Sequence, residues 1–225
     1  MQREISNTVE IPAGDATLEG ELIVPANANG IVLFVHGSGS SRFSPRNRTV
    51  AETIQIAGIG TLLFDLLTKE EESIDVYTRH LRFDIGLLAR RLKAVTHSLN
   101  ERAETKDLKV GYFGSSTGGG AALVAAADLG NKISAVVSRG GRPDLAGEAL
   151  SRVTAPTAMI VGEYDQIVIE LNRDAMSKMK CKTELIIVPG ATHLFEELGT
   201  LDLVAKLATD WFTEHFRPEA KATVG

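Results

Sequence analysis

The chain of 225 residues is long enough for one globular domain with a sizeable core, and 44% hydrophobic and 24% charged residues are ordinary for a soluble protein. A formal net charge of -5 argues against nucleic acid as a partner, and no apolar run approaches the length of a membrane span. The first residues lack the apolar stretch of a secretory signal, and the single cysteine, Cys181, excludes an intrachain disulfide. We therefore expect a single domain over residues 1–225 in the cytoplasm, without a nucleic-acid or membrane partner.

The first part of the chain predicts a strand pair followed by alternating strands and helices. Two short apolar stretches on either side of residues 12–15 indicate antiparallel strands around a turn. The continuous apolar run at 31–35 is typical of a strand that helices cover on both faces. A glycine-rich loop follows, and then we predict a helix near 49–57 and a strand over 61–64. The acidic run at 70–72 is placed in a solvated loop.

One long helix is predicted over about 76–99, because apolar side chains recur there at steps of three and four. These side chains are Tyr77, Leu81, Ile85, Leu88, Leu92, Val95 and Leu99. Further strands are predicted over 110–113, 133–137, 157–161 and 185–188, with later helices near 121–127, 168–179 and 201–216. Repeated strand and helix units indicate an α/β fold class with a mostly parallel sheet, helices on both of its sides and an antiparallel N-terminal edge.

A sharp turn between the strand near 110–113 and the next helix carries the pattern Gly-x-Ser-x-Gly. Its serine is Ser116, between Gly114 and Gly118. A serine on such a tight turn needs neighbours without a Cβ two residues away, so that its backbone adopts a strained conformation and its hydroxyl projects outward. Ser115 lacks such neighbours, so Ser116 is the candidate nucleophile.

This stretch and its surroundings resemble the α/β-hydrolase superfamily, and the small size of the chain resembles the lid-less, dienelactone-hydrolase-like esterase branch. The resemblance covers nearly the whole chain. It implies a three-layer sandwich around a sheet of roughly eight strands. The segment 138–155 between two core strands is too short for the cap domain that many α/β-hydrolases insert there, so we expect an open site.

A serine hydroxyl needs a base to accept its proton and a carboxylate to orient that base. The loop after the strand at 157–161 resembles the family's acid loop, which implies Asp165, with Glu163 as the competitor. Asp165 as a simple helix cap is the alternative interpretation. The loop after the last strand resembles the family's histidine loop and implies His193 as the base. The other histidines, His80, His97 and His215, fall in predicted helices, where a solvated face is expected.

An oxyanion intermediate needs two N–H donors fixed in advance. One is expected from Thr117, at the start of the helix that follows the nucleophile. The other is expected from Ser38 in the His-Gly-Ser-Gly loop, as in relatives that carry a His-Gly pair. His36 is interpreted as bracing this loop rather than acting as a base.

Two arginines, Arg42 and Arg139, are candidates for the border of the pocket. In dienelactone hydrolase, arginines bind the substrate's carboxylate, so the resemblance suggests acidic esters or lactones as substrates. The alternative is that both arginines are surface or ion-pairing residues. Dienelactone hydrolase has a cysteine nucleophile where this chain has Ser116, and this departure favours a general esterase.

The sequence therefore predicts a serine hydrolase that cleaves small carboxylic esters or lactones through an acyl-enzyme, with no cofactor. The same triad also serves dienelactone hydrolase-like enzymes, thioesterases and peptidases, and a ligand-binding protein without catalysis is the remaining alternative. No cluster of cysteine and histidine has zinc spacing, so we expect no metal.

Overall fold

The computed structural model describes residues 5–217 and is built around one sheet of eight strands. Residues 1–4 and 218–225 of the predicted domain lie outside the described residues. Most of the N-terminal stretch in which we looked for a secretory signal is among them. The strands are β1 (Ile5–Ala13), β2 (Ala16–Val24), β3 (Gly30–Val35), β4 (Gly60–Phe64), β5 (Lys109–Ser115), β6 (Ile133–Arg139), β7 (Thr157–Gly162) and β8 (Thr183–Val188).

The strand order across the sheet is β1-β2-β4-β3-β5-β6-β7-β8. β1 and β2 are antiparallel, β2 is antiparallel to β4, and the pairs from β4 to β8 are parallel. The predicted sheet, with its antiparallel N-terminal edge, is thereby confirmed. Because all parallel strands point the same way, the loops after β3, β5, β6, β7 and β8 meet at one edge of the sheet, where open α/β sheets bind ligands.

Helices cover both faces of the sheet. They are α1 (Pro45–Ile56), α2 (Lys69–Thr78), α3 (Ile85–Leu99), α4 (Thr117–Leu129), α5 (Gln166–Lys178) and α6 (Thr200–Phe216), with 3-10 segments at Gly130–Lys132 and Pro143–Arg152. Side chains alternate between the faces along each strand. In β3, Leu33 joins the core under α3 and α4, whereas Phe34 joins the core under α1 and α6. The segment between β6 and β7 is a 3-10 helix, and no cap domain occurs among residues 5–217.

The single helix predicted over 76–99 is wrong, because the chain forms α2 and α3 with a loop between them. α2 ends at Arg79 in the left-handed conformation, and Asp84 caps the start of α3 through the N–H of Leu87. Tyr77, which we expected in the buried stripe, is 87% exposed. His80 accordingly lies in a loop and not in a helix.

The acidic run forms the first turn of α2 and not a loop, although Glu70 and Glu72 are exposed as expected. Thr68 and Glu71 make a reciprocal capping box at this helix start. Glu71 also pairs with Arg91 of α3, and this guanidinium lowers the pKa of the Glu71 carboxyl. Among the described helices, none is long and apolar enough to cross a membrane.

Candidate active site

Ser116 lies at the turn from β5 into α4 in a backbone conformation that L-residues rarely adopt, with φ 50° and ψ -122°. A Cβ on Gly118 would lie 2.1 Å from the carbonyl oxygen of Val35, and one on Gly114 would lie 2.6 Å from the Cα of Gly119. Both glycines are therefore required for the turn to pack against its neighbours. The strain at Ser116 is maintained by the surrounding structure, as is typical of functional sites.

Residues 139–142, the end of β6 and the turn that follows it, brace the backbone of Ser116 from both sides. The Ser116 N–H donates to the carbonyl of Arg139 over 3.3 Å, and the Arg142 N–H donates to the carbonyl of Ser116 over 3.0 Å. Gly140 has φ 51°, and a Cβ there would lie 3.4 Å from the His193 ring. This turn therefore contacts both the strained serine and the histidine. Sequence reasoning missed it, although the glycine pair at 140–141 after a strand end was a usable signal.

His193 and Asp165 form a close pair on the loops after β8 and β7. Nδ1 of His193 lies 2.5 Å from Oδ2 of Asp165. Asp165 is the N-cap residue of α5, but its carboxylate makes no capping hydrogen bond. The competitor Glu163 instead accepts the N–H of Gly190 over 2.7 Å. The structure thus brings Asp165, and not Glu163, to the histidine.

A cavity of about 510 Å³ contains both Ser116 and His193 in its wall. The imidazole is reachable from this cavity because the His193 side chain is 39% exposed. No hydrogen bond joins Ser116 to His193 within residues 5–217, and such contacts commonly tighten only when substrate binds. The serine, histidine and aspartate predicted from sequence therefore share one site at the carboxyl edge of the sheet.

The two residues expected to stabilise an oxyanion lie together beside Ser116. Thr117 is the first residue of α4, so its N–H has no partner within the helix. The Ser38 N–H donates to Oγ1 of Thr117 over 2.9 Å. This contact was not foreseen, and it ties the loop after β3 to the nucleophile turn while occupying one of the two expected donors.

His36 fastens the same loop to the chain after β4. The Leu66 N–H donates to Nε2 of His36 over 3.1 Å, so the proton of the neutral ring lies on Nδ1, which donates to the carbonyl of Gly37 over 3.0 Å. Desolvation by burial lowers the pKa of His36 below 6.5, the ordinary value for a histidine. Protonation at Nε2 would remove the bond from Leu66.

This arrangement predicts a specific pH dependence of stability. Because the folded pKa of His36 lies below 6.5, the unfolded chain binds this proton first, so the contribution is complete above pH 6.5 and is lost as pH falls towards the folded pKa. We expect urea unfolding between pH 7.5 and pH 5 to show a smaller pH-dependent loss of stability in His36→Asn than in the parent protein. His97→Asn, at an exposed histidine on α3, is the matched control and should retain the parent slope. Equal slopes for all three proteins would contradict the account.

Arg139 ends β6 and lies in the wall of the cavity that contains Ser116 and His193. The residue is 7% exposed, its Nε has no hydrogen-bond partner, and its guanidinium lies 5.8 Å from the ring centroid of Phe195. Burial, together with the nearby charge of Arg46, lowers the pKa of Arg139 to about 10, so the group stays charged at neutral pH. Arg46 lies in the same wall and was not singled out from the sequence. The cavity therefore carries positive charge close to the serine.

Arg42 lies outside this cavity. Its guanidinium pairs with Asp65 and with Glu19, and the residue lines a neighbouring cavity on the other side of the loop 39–43. The structure thus brings Arg139, but not Arg42, to the candidate site. No cluster of histidine, cysteine and acidic side chains suited to a metal ion occurs among the described residues.

The sheet order, the strained serine and the His193–Asp165 pair define the class of protein as a hydrolase with the α/β-hydrolase fold. A distant structure shows the same fold. Est1E from Butyrivibrio proteoclasticus matches with a TM-score of 0.76 and 17% identity, over 92% of this chain and 98% of that chain.

The chain belongs to the dienelactone hydrolase family, whose family model matches residues 18–216. The crystal structure of dienelactone hydrolase from Anabaena variabilis is similar to it, with a TM-score of 0.94 and 57% identity over 96% of this chain and 100% of that chain. The resemblance inferred from the elbow, acid and histidine loops is confirmed.

Two proteins of Mycobacterium tuberculosis are 58% identical to the chain over 207 residues, which is 92% of this chain and 46% of theirs. Both bear the name "Putative phosphoribosyl transferase". The match thus spans less than half the length of these relatives, and their name describes proteins that are much longer than the matched region.

Proposed function

We propose that the protein is a serine hydrolase that cleaves small carboxylic esters or lactones through an acyl-enzyme. The observation that carries this proposal is the strained Ser116 in the same cavity wall as His193, whose Nδ1 is held by Asp165. A carboxylate on Nδ1 fixes the tautomer in which Nε2 is free to accept the serine proton. The dienelactone hydrolase name of the similar Anabaena variabilis protein supports the same reaction class.

In the proposed reaction each group has one role. Oγ of Ser116 attacks the carbonyl carbon while Nε2 of His193 takes its proton, and the electron pair of the carbonyl moves onto oxygen. The N–H groups of Thr117 and Ser38 stabilise this oxyanion. His193 then gives its proton to the leaving oxygen as the bond to carbon breaks, and water attacks the acyl-enzyme by the same sequence.

The N–H of Ser38 becomes available to the substrate when it exchanges its present acceptor, the Thr117 hydroxyl, for the oxyanion. In the free protein its N–H is bonded to the neutral hydroxyl of Thr117. An oxyanion is a stronger acceptor than a hydroxyl, because charge-assisted hydrogen bonds are about twice as strong as neutral ones. The developing negative charge therefore favours transfer of this donor from Thr117 to the substrate oxygen.

The proposal is tested by titrating the acid released from phenyl acetate, S-phenyl thioacetate and dihydrocoumarin, an ester, a thioester and a lactone. We expect turnover of the ester and the lactone. Turnover of the thioester alone would replace the proposal with a thioesterase, and no turnover of any of the three by the folded protein would favour a ligand-binding protein.

The substrate is proposed to carry an acidic group. Arg139 stays charged, forms no ion pair among the described residues and lies in the wall that also holds His193. Because His193 protonates the leaving group and shares this wall with Arg139, we place the acid on the leaving half of the substrate.

Arg139→Met tests this preference with two substrates that differ in one charge, 4-acetoxybenzoate and its neutral methyl ester. We expect the variant to lower kcat/KM for the acid by about 10- to 100-fold, the range for losing a hydrogen bond to a charged group. The neutral ester should change less than threefold. An equal loss on both substrates would assign Arg139 to structure instead of recognition.

A further inference from the structure

A second cavity, of about 600 Å³, lies next to the one that contains Ser116. The two cavities share the loop residues Gly39, Ser40, Ser41 and Phe43 in their walls. This loop therefore forms a ridge between them. The volume is in the range of pockets that hold small organic ligands. A group of a substrate at Ser116 that crossed this ridge would enter the second cavity.

The second cavity differs from the first in its charge. Every charged side chain in its wall is paired within the described residues, whereas Arg139 in the first cavity is not. The pairs are Arg42 with Asp65 and Glu19, Lys69 with Glu19, and Glu72 with Arg82. Paired charges offer little attraction to a further ion, so the chemistry of the wall fits a neutral group.

The wall also holds three apolar side chains, Phe43, Leu67 and Val76, beside neutral hydroxyl groups and the ring of His36. Leu67 is 6% exposed, while Phe43 and Val76 are 58% and 49% exposed although both are large and apolar. Val76 belongs to α2, whose one buried side chain among the described residues is Asp75. The helix thus turns apolar side chains outwards beside the site. A ligand that covers Phe43 and Val76 removes apolar surface from water and is stabilised by doing so.

The position of His193 decides which half of an ester enters this cavity. His193 lies in the wall of the first cavity and not of the second. Since the histidine delivers a proton to the leaving group, the leaving group lies beside it, and the acyl group extends away from it. We infer that the second cavity is the binding site for a neutral, apolar acyl chain. This inference rests on the proposed function and specifies its substrate as an ester of a medium-length apolar acid.

The acyl site is tested with p-nitrophenyl acetate, butyrate and octanoate below their micelle concentrations. For the parent protein we expect kcat/KM to rise by about 10- to 100-fold from acetate to octanoate, which corresponds to partial burial of the added methylenes. Val76→Asp should lower kcat/KM for octanoate by about 10-fold and leave acetate unchanged. Ile74→Asp is the matched control, because Ile74 is 58% exposed on the same helix and lines neither cavity. Ile74→Asp should leave kcat/KM unchanged for both octanoate and acetate.

Ser73→Trp provides a second variant that acts by volume instead of charge. Ser73 lines the cavity from the exposed side of α2, so a large side chain there should reduce octanoate turnover with little effect on acetate. Equal kcat/KM across the series, or equal behaviour of Val76→Asp and Ile74→Asp, would overturn the acyl site while leaving acetate hydrolysis intact. Failure of the parent protein to hydrolyse any ester, acetate included, would overturn the proposed function and the acyl site with it.

Discussion

We expect Ser116→Ala to lower kcat for ester hydrolysis by about 10⁴- to 10⁶-fold, the range seen when a serine hydrolase loses its nucleophile. The physical reason is that, of the three hydroxyl residues between Gly114 and Gly118, Ser116 alone has the positive φ of the strained turn. Turnover of a neutral ester under saturating conditions, with circular dichroism to verify the fold, measures this effect.

Ser115→Ala is the matched control for this prediction. The Ser115 hydroxyl is buried and donates to Oδ1 of Asn47 over 3.2 Å. Its removal should change kcat by less than about tenfold, because the loss is one neutral hydrogen bond of about 1 kcal/mol away from the reacting atoms. Retained turnover in Ser116→Ala, or a larger loss in Ser115→Ala, would move the nucleophile to a different residue.

Asp165→Asn should lower kcat by about 10³- to 10⁴-fold while the geometry of the loop persists. An asparagine amide presents an N–H group to Nδ1 of His193, which favours the tautomer with the proton on Nε2. In that tautomer the histidine cannot accept the proton of Ser116. The comparison variant is Glu163→Gln, at the residue that accepts the Gly190 N–H. Glu163→Gln should lower kcat by less than tenfold. A larger loss in Glu163→Gln than in Asp165→Asn would make Glu163 the acid of the triad.

The sequence predicted best those features that depend on a few consecutive residues. The elbow around Ser116 follows from two glycines at fixed spacing, and the acid and histidine loops follow from their places after core strands. The alternating strands and helices likewise predicted the parallel sheet. The role of Asp165 could be decided only from the structure. The same local sequence is compatible with a helix cap and with a carboxylate that contacts His193.

The division of α2 from α3 was missed for a different reason. Apolar spacing continues through residues 76–99, but Asp75 accepts the N–H groups of Leu81 and Arg82 and holds the chain in a loop. The Arg82 guanidinium also donates to Asp75, and these contacts lower the pKa of its carboxyl despite its burial. These hydrogen bonds override the helical periodicity of the apolar residues. The spacing of apolar residues does not reveal such side-chain contacts, so the break between the helices could not be predicted from it.

The arginines show the same limit. Arg42 and Arg139 each follow a predicted strand, and sequence position alone gives no reason to separate them. The structure separates them by their partners, since carboxylates neutralise Arg42 whereas Arg139 lies buried beside Phe195. Arg46 reaches the cavity from α1, a placement that depends on how the helix packs on the sheet.

The most direct test of the central claim is covalent labelling by a fluorophosphonate, measured as intact mass for the parent protein, Ser116→Ala and Asp165→Asn. The account predicts one adduct on the parent, none on Ser116→Ala and much slower labelling of Asp165→Asn. An unlabelled but folded parent protein, or an adduct that persists in Ser116→Ala, would contradict an activated serine at this site.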